Sequence, residues 1–249
     1  MTRETAELVL TDVGYGYDRG LPTEKAVLRS VSLSVRSGQF LSIAGRTGSG
    51  KTTLGLIMAG LLKPQSGRVR LLPAPGESET SSRSEVGRLD VVMVFQVPES
   101  QFFEEDVFSE VAFGPSRLGL RGGELESRVS SSLERLGLDP ARVSRRSPIR
   151  LSEGEKRNVA VASALACRPR FLILDEPTIS LDWRASARLL FLLRGLTDSG
   201  VSVVVLTHEV DRAVRHSDLV AVLSDGTLSS PGKPTAQEVY DCWRHGRQA

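Results

Sequence analysis

Four short stretches of this 249-residue chain carry side chains whose types and spacing suit chemistry on phosphate. "GRTGSGKTT" sets out Gly45, Arg46, Thr47, Gly48, Ser49, Gly50, Lys51, Thr52 and Thr53 and matches G-x-x-x-x-G-K-[ST]. Glycines at that spacing let successive backbone N–H groups turn inward as an anion nest. A helix starting at the nest adds partial positive charge. Lys51 then reaches β- and γ-phosphates, and the Thr52 hydroxyl suits Mg²⁺. "FLILDEPT" places Asp175 and Glu176 at the end of an apolar run. Asp175 suits Mg²⁺, directly or through water, and Glu176 suits the base that polarises an attacking water. "VVVLTHEV" repeats the arrangement with His208, a candidate donor to a γ-phosphate. The fourth stretch, "RLSEGEKRN" (150–158), is ambiguous by itself. Ser152 is a good helix N-cap, and Glu153 and Glu155 fall in the first turn, where carboxylates complement the helix dipole.

These residues need strands and helices to hold them. "LVLTDV", "LRSVSLSV", "FLSIAG", "VVMVF", "FLILDE", "VSVVVLTH" and "LVAVLSDG" read as strands. The runs near 91, 171 and 201 are continuously apolar, which predicts strands buried on both faces of a parallel sheet. The first strands are closer to period two, so an antiparallel β subdomain is expected at the N-terminal end. Alternation of strands with helical patterns gives an α/β class. In such a sheet the ligand crevice lies at the carboxyl ends of the strands, where the acid pair and His208 fall. Between about 96 and 166 strand signals stop and helical patterns such as "GGELESRVSSSLERLGL" take over, which predicts an inserted helical subdomain. The segment 72–87 reads as a Pro/Gly/Ser-rich loop. One domain is expected over 1–230, and 231–249 reads as a short tail with one helical candidate, "TAQEVYDCWRHG".

Composition narrows the function. Net charge is +2 and aromatic content 5%, so neither a basic stripe nor a base-stacking platform is present, and no nucleic-acid partner is expected. Cys167 and Cys242 have no metal-ligand spacing, and a reducing cytosol is the default. "MTRETAELVL" lacks the apolar core of a signal peptide. No apolar run approaches the 18 residues of a transmembrane helix, so any membrane must come from a partner.

The order "GRTGSGKT", Gln96 after an apolar strand, "LSEGE", "LILDEP", "SLD" and "TH" resembles an ATP-binding-cassette (ABC) ATPase over nearly the whole chain. The resemblance implies a P-loop NTPase core with a mostly parallel sheet, ATP and Mg²⁺ as ligands, and head-to-tail pairing with a second ABC ATPase subunit, identical or not. It implies that Ser152 and the Gly154 N–H meet the partner's γ-phosphate. Gln96 would sense Mg²⁺ and the lytic water, Asp182 would cross the dimer seam, and Tyr17, with Tyr15 as second choice, would stack on adenine. The family's signature is Leu-Ser-Gly-Gly-Gln, so Glu153 and Glu155 depart from it. Glu155 is expected to accept from ribose hydroxyls, and Glu153 to face solvent or the seam.

"FQVPESQFFEEDVFSEVAFGPSRLGL" (95–120) is similar to the ATPases of energy-coupling-factor importers of the cobalt and vitamin type. That implies a transmembrane coupling protein docking near 101–110, a substrate-binding membrane component, and a peripheral position on the cytoplasmic face of the membrane. Members of that group usually carry a longer C-terminal region than a chain ending at Ala249. The residues themselves suit docking: Phe102, Phe103, Val107 and Phe108 would form an apolar surface rimmed by Glu104, Glu105, Asp106 and Glu110, matching a helix that carries arginines. Soluble family members that act on nucleic acid carry coiled-coil insertions or two cassettes, and neither pattern is present. A non-hydrolysing cassette would need damaged acids, whereas Lys51, Asp175, Glu176 and His208 are in place.

Overall fold

The computed structural model describes residues 6–18, 20–23, 25–72 and 89–233. The expected loop over 72–87, from residue 73 on, and the helical candidate over 235–246 lie outside the described residues.

The continuously apolar runs form the centre. β3 (Phe40–Ala44), β6 (Phe171–Asp175) and β7 (Ser202–Thr207) are buried along their whole length. With β5 (Val91–Val94), β8 (Leu219–Ser224) and β9 (Thr227–Leu228) they make a six-stranded sheet in the order β5-β6-β7-β3-β8-β9. The first five strands are parallel, and β9 pairs antiparallel to β8. Period two then sorts the side chains into two cores. Ile43, Ile173, Val204 and Leu206 point to one face, where they meet Leu54, Ile57 and Met58 of α1 (Lys51–Met58). Leu172, Leu174, Val203 and Val205 point to the other. There they meet Val161 and Ala162 of α5 (Glu153–Ala166) and Leu189 and Leu193 of α6 (Trp183–Asp198). Both faces are covered, so these strands cannot show the alternation of a half-exposed sheet.

A second, antiparallel sheet lies on the α1 side, in the order β2-β1-β4, from β1 (Glu7–Tyr17), β2 (Lys25–Arg36) and β4 (Ser66–Leu72). Its inner residues Leu8, Leu10, Val31 and Leu33 join the α1 core, each such buried aliphatic side chain contributing about 1.5–3 kcal/mol. β4 was not among the expected strands. Its Arg68 and Arg70 are exposed and Val69 and Leu71 only half-buried, so it carries a weak version of the period-two signal. Between β5 and β6 stand α2 (Val107–Arg117), α3 (Gly122–Arg135), the single turn α4 (Pro140–Val143) and α5. α7 (Val210–His216) packs under β3. No helix among the described residues is long and apolar enough to cross a membrane.

Candidate active site

The loop after β3 is shaped by its glycines. A Cβ at Gly45 would stand 2.5 Å from the Leu223 carbonyl oxygen, and Gly50 caps α1 with φ +103°, a left-handed value that favours glycine. Lys51, the first residue of α1, is 6% exposed. Its Nζ donates to the carbonyls of Gly45 (2.8 Å) and Arg46 (3.2 Å) and lies 3.5 Å from Glu176 Oε1. The Thr52 hydroxyl donates to Asp175 Oδ2 at 2.7 Å.

The acid pair ends β6, with Asp175 3% and Glu176 8% exposed. Glu176 sits at φ +45°, a strained value for a residue with a side chain, held by its N–H donating to the Leu206 carbonyl (2.8 Å) on the neighbouring strand. Its carboxylate is braced from two sides. Lys51 stands on one, and on the other His208 offers Nδ1 at 2.9 Å and its N–H at 3.4 Å. Burial pushes the Asp175 carboxyl above its ordinary value and Glu176 adds to that, while the Thr52 hydrogen bond, Lys51 and Arg157 pull the other way. Asp175 Oδ1 is buried without a hydrogen-bond partner, a costly condition that a cation relieves. No group of three or more His, Cys, Asp or Glu side chains among the described residues fits a metal by itself. The donors present, one hydroxyl and one carboxylate beside a phosphate nest, fit a hard ion that takes its remaining ligands from phosphate and water.

Lys51, Thr52, Asp175, Glu176 and His208 share one cleft of about 410 Å³, while Arg46 and Ser49 of the loop line an adjoining one together with Thr47 and Gly48. Tyr17, Thr47, Gly48, Gly50, Lys51, Thr52, Thr53, Gln96, Asp175, Glu176 and His208 all line the first. Tyr17 is 44% exposed at the rim, its hydroxyl 3.1 Å from Thr53 Oγ1. Tyr15 meets it edge-on at 5.1 Å but packs against the α1 core instead. Sequence reasoning missed Lys25, Val27 and Ile179, which also line the cleft. Lys25 is placed there by the strand register that pairs it with Tyr17.

The remaining expected residues are elsewhere. Gly154, Glu155 and Asp182 line a separate cavity of about 670 Å³ between the starts of α5 and α6. Ser152 caps α5 in a reciprocal capping box: its Oγ accepts from the Glu155 N–H (3.4 Å), and Glu155 Oε2 accepts from the Ser152 N–H (2.9 Å). Glu155 Oε1 also accepts from Arg146 Nη1 at 3.1 Å. The Ser152 and Arg146 contacts hold the Glu155 carboxyl below its ordinary value. Asp182 caps α6, accepting from the Ala185 N–H at 2.8 Å. Glu153 is exposed and pairs with Lys156 at 2.8 Å.

The acidic-aromatic surface on α2 is also rearranged. Val107 is fully buried and Glu110 3% exposed, because both lie on the helix face that packs inward with Val111. Glu110 accepts from the N–H groups of Phe103 and Glu104 (3.0 Å each), and burial pushes its carboxyl up. Asp106 caps α2, and Phe102 and Phe108 pack partly against the core. What faces out is Phe103 (62% exposed), stacked edge-on with Phe113 at 4.5 Å, with Arg117 over Phe113.

Comparison with known proteins supplies the family. The ABC transporter family model matches residues 28–179. The energy-coupling factor transporter ATP-binding protein EcfA2 of Symbiobacterium thermophilum is 42% identical over 91% of this chain and 78% of its own length. A putative ABC transporter ATP-binding protein of Pyrococcus horikoshii is 42% identical over 87% and 80%. Among solved structures, cbiO1 of Clostridium perfringens, part of the ABC transporter complex cbiONQ, superposes with a TM-score of 0.79 at 30% identity, covering 96% of this chain and 92% of that one. A dimeric ATP-binding cassette in a post-hydrolysis state, bound to ADP and Pi, superposes with a TM-score of 0.75 at 28% identity over 89% and 96%. The chain belongs to the ABC transporter family and is one of its ATP-hydrolysing cassettes.

Proposed function

We propose that this chain is the ATPase subunit of a membrane importer of the energy-coupling-factor type, driving uptake of a vitamin or transition-metal ion by closing a dimer on ATP. The observation that carries the pairing is the separation of the two half-sites. The phosphate loop and acid pair share one cleft, while Gly154, Glu155 and Asp182 line another. Two such chains placed head to tail bring each cleft against the signature turn of the other. The energy-coupling factor transporter in one relative's name supports the importer reading.

In this reading the nest of residues 45–53 and Lys51 hold the triphosphate, and Tyr17 stacks on adenine. Thr52 and Asp175, with Gln96 lining the same cleft, would hold Mg²⁺, which would supply charge neutralisation to the phosphates. Glu176, braced by Lys51 and His208, takes a proton from water as the water oxygen attacks the γ-phosphorus. The bond to the bridging oxygen breaks and ADP leaves. His208 donates to the γ-phosphate, and positioning plus charge stabilisation does most of the catalytic work. Ser152 and Gly154 serve the partner's nucleotide, and Asp182 lies at the seam. Residues 96–166 act as the helical subdomain that receives a transmembrane coupling protein. A substrate-binding membrane component completes the assembly, so the chain works as a peripheral subunit at the cytoplasmic face.

Glu176→Gln tests the base. Turnover is expected to fall by about 10²–10⁴-fold, the usual worth of a general base, with ATP retained and the dimer trapped on a sizing column. Undiminished turnover rejects the assignment. Reversing Glu104 and Glu105 to Lys tests the docking surface, and the transmembrane subunit should no longer co-purify while ATP binding persists. Unchanged co-purification rejects that surface.

A further inference from the structure

Arg157 is a charge that the nucleotide cleft does not touch and that the fold nevertheless buries. It lies in the first turns of α5 and is 3% exposed. Its Nη1 donates to the carbonyl of Phe95 at 3.1 Å, and its Nε has no hydrogen-bond partner. Burial works against its charge, while Glu153, Glu99 and Asp175 supply a favourable field from a distance. A buried guanidinium without a close carboxylate is unfavourable, and an aliphatic side chain on α5 would pack there without that cost.

What the guanidinium holds is informative. Val94 is the last residue of β5 in register with β6, so the Phe95 carbonyl has left the ladder. The next residue is Gln96, exposed in the nucleotide cleft. Beyond it the chain is gripped again from the same helix: Lys156 Nζ bridges Glu99 (2.5 Å) and Glu153 (2.8 Å). The short segment carrying Gln96 is thus pinned on both sides by consecutive cations of α5. The N-cap of that helix is Ser152. Glu153, which stands where the family's motif has glycine, acquires a role as one arm of the Lys156 bridge.

We infer that Arg157 is a positioning residue, which sets Gln96 against the signature turn so that seating of that turn on a second subunit's nucleotide is felt in this subunit's own cleft. The inference rests on the role proposed for Gln96 at the Mg²⁺ site. Arg157 acts through the Phe95 main chain and touches neither nucleotide nor water.

A double-mutant cycle with Gln96→Ala tests it, read as steady-state ATP turnover of the chain in its purified assembly. Gln96→Ala alone is expected to lower kcat by about tenfold or more. Arg157→Gln alone is expected to lower kcat by about tenfold with KM for Mg·ATP changed less than about twofold. In the Gln96→Ala background Arg157→Gln should cost less than about a further twofold, since its effect runs through a side chain already removed. Multiplying effects overturn the inference and leave the Gln96 role standing. If Gln96→Ala has no effect, the Gln96 role and the inference fall together. Should Arg157→Gln not fold, Arg157→Lys keeps the charge, loses the planar fork, and carries the same cycle. An Arg157 change that lowers thermal stability alone, with kcat unchanged, also overturns it.

Discussion

The strand-end cleft and the helix-start cavity, for both of which we propose contact with phosphate, are built in opposite ways. In the first, Lys51, Asp175 and Glu176 are all nearly buried and braced against one another across strands β3, β6 and β7. Glu176 is held at a strained backbone angle, and one Asp175 oxygen has no partner. In the second, Ser152 and Asp182 are exposed helix caps with their hydrogen bonds satisfied inside the first turn. The difference teaches where stability and function oppose each other. The sheet over-determines the acid pair and so can hold it in an unfavourable state, ready for ligands. The helix starts are stable by themselves and offer an already satisfied cap to a partner. Substitutions in the first region should therefore separate activity from stability, and loss of a cap in the second should lower both together.

The largest effect on ATP binding is expected at Lys51. Lys51→Met removes the ammonium that lies against the Gly45 and Arg46 carbonyls and Glu176, and with it the proposed β- and γ-phosphate contact. ATP affinity should drop by about 100-fold or more, since a charge-assisted contact of about 3 kcal/mol corresponds to that factor. Isothermal titration with ATP measures it, and wild-type affinity would break the picture of a preformed anion site.

Asp175→Asn sharpens the comparison most directly. The folded carboxyl is raised by burial, so the folded state favours the protonated acid. The sign follows from linkage: this group's contribution to stability is fully present below the unfolded value of 3.8 and is lost as pH rises through the higher folded value. At neutral pH the ionised Asp175 is therefore a burden, and Asn removes it while still accepting from Thr52. Tm is expected to rise by about 2–4 °C, the shift that about 1 kcal/mol makes in a domain of this size. The advantage should shrink as pH falls toward 4. Turnover should meanwhile fall by about 100-fold or more, because the metal ligand we propose is gone. A lower Tm at neutral pH would contradict the strained reading of the cleft.

Ser152 tests the other region. Ser152→Ala removes the cap of α5, worth about 1 kcal/mol, and with it the contact we propose to a partner's phosphate. Tm should fall by about 2–4 °C, and turnover of the dimer by about tenfold. Ser152→Asp restores a good cap but places a negative charge toward phosphate. Recovery of Tm without recovery of turnover separates the two roles. Recovery of both would leave Ser152 a helix cap and nothing more.

Much of the first cleft was legible in the sequence, because its residues are contiguous. A glycine loop or an acid pair after an apolar run declares its own strand and turn. Lys25 was not legible, since only the β1–β2 register brings it beside Tyr17. Arg157 was hidden for the same reason: its partner lies 62 residues away. On α2 the signal was present but charge obscured it. Val107, Glu110 and Val111 stand at i, i+3 and i+4, the spacing of one buried helix face, and that geometry decided the orientation of Glu110. β4 escaped notice because an edge strand alternating Arg with half-buried Val and Leu has little apolar contrast.

The smallest effect is expected at Glu155, where the family's signature has Gln. Its carboxylate is already engaged, accepting from the Ser152 N–H and hydroxyl at 2.9 Å each and from Arg146 at 3.1 Å. A ribose hydroxyl would have to compete with all three. Gln completes a capping box as well as Glu does, so Glu155→Gln keeps the helix start. It gives up an exposed ion pair worth about 0.2–1 kcal/mol, which corresponds to no more than about 2–4 °C in Tm. Freed from Arg146, the side chain gains rotational freedom toward the cavity it shares with Asp182. Turnover should change by less than about twofold, in either direction. A rise well beyond that would mean that the acidic signature holds this half-site back by binding its own arginine. The two regions would then differ in strength as well as in construction, the strand-end cleft set for catalysis and the signature turn restrained from within.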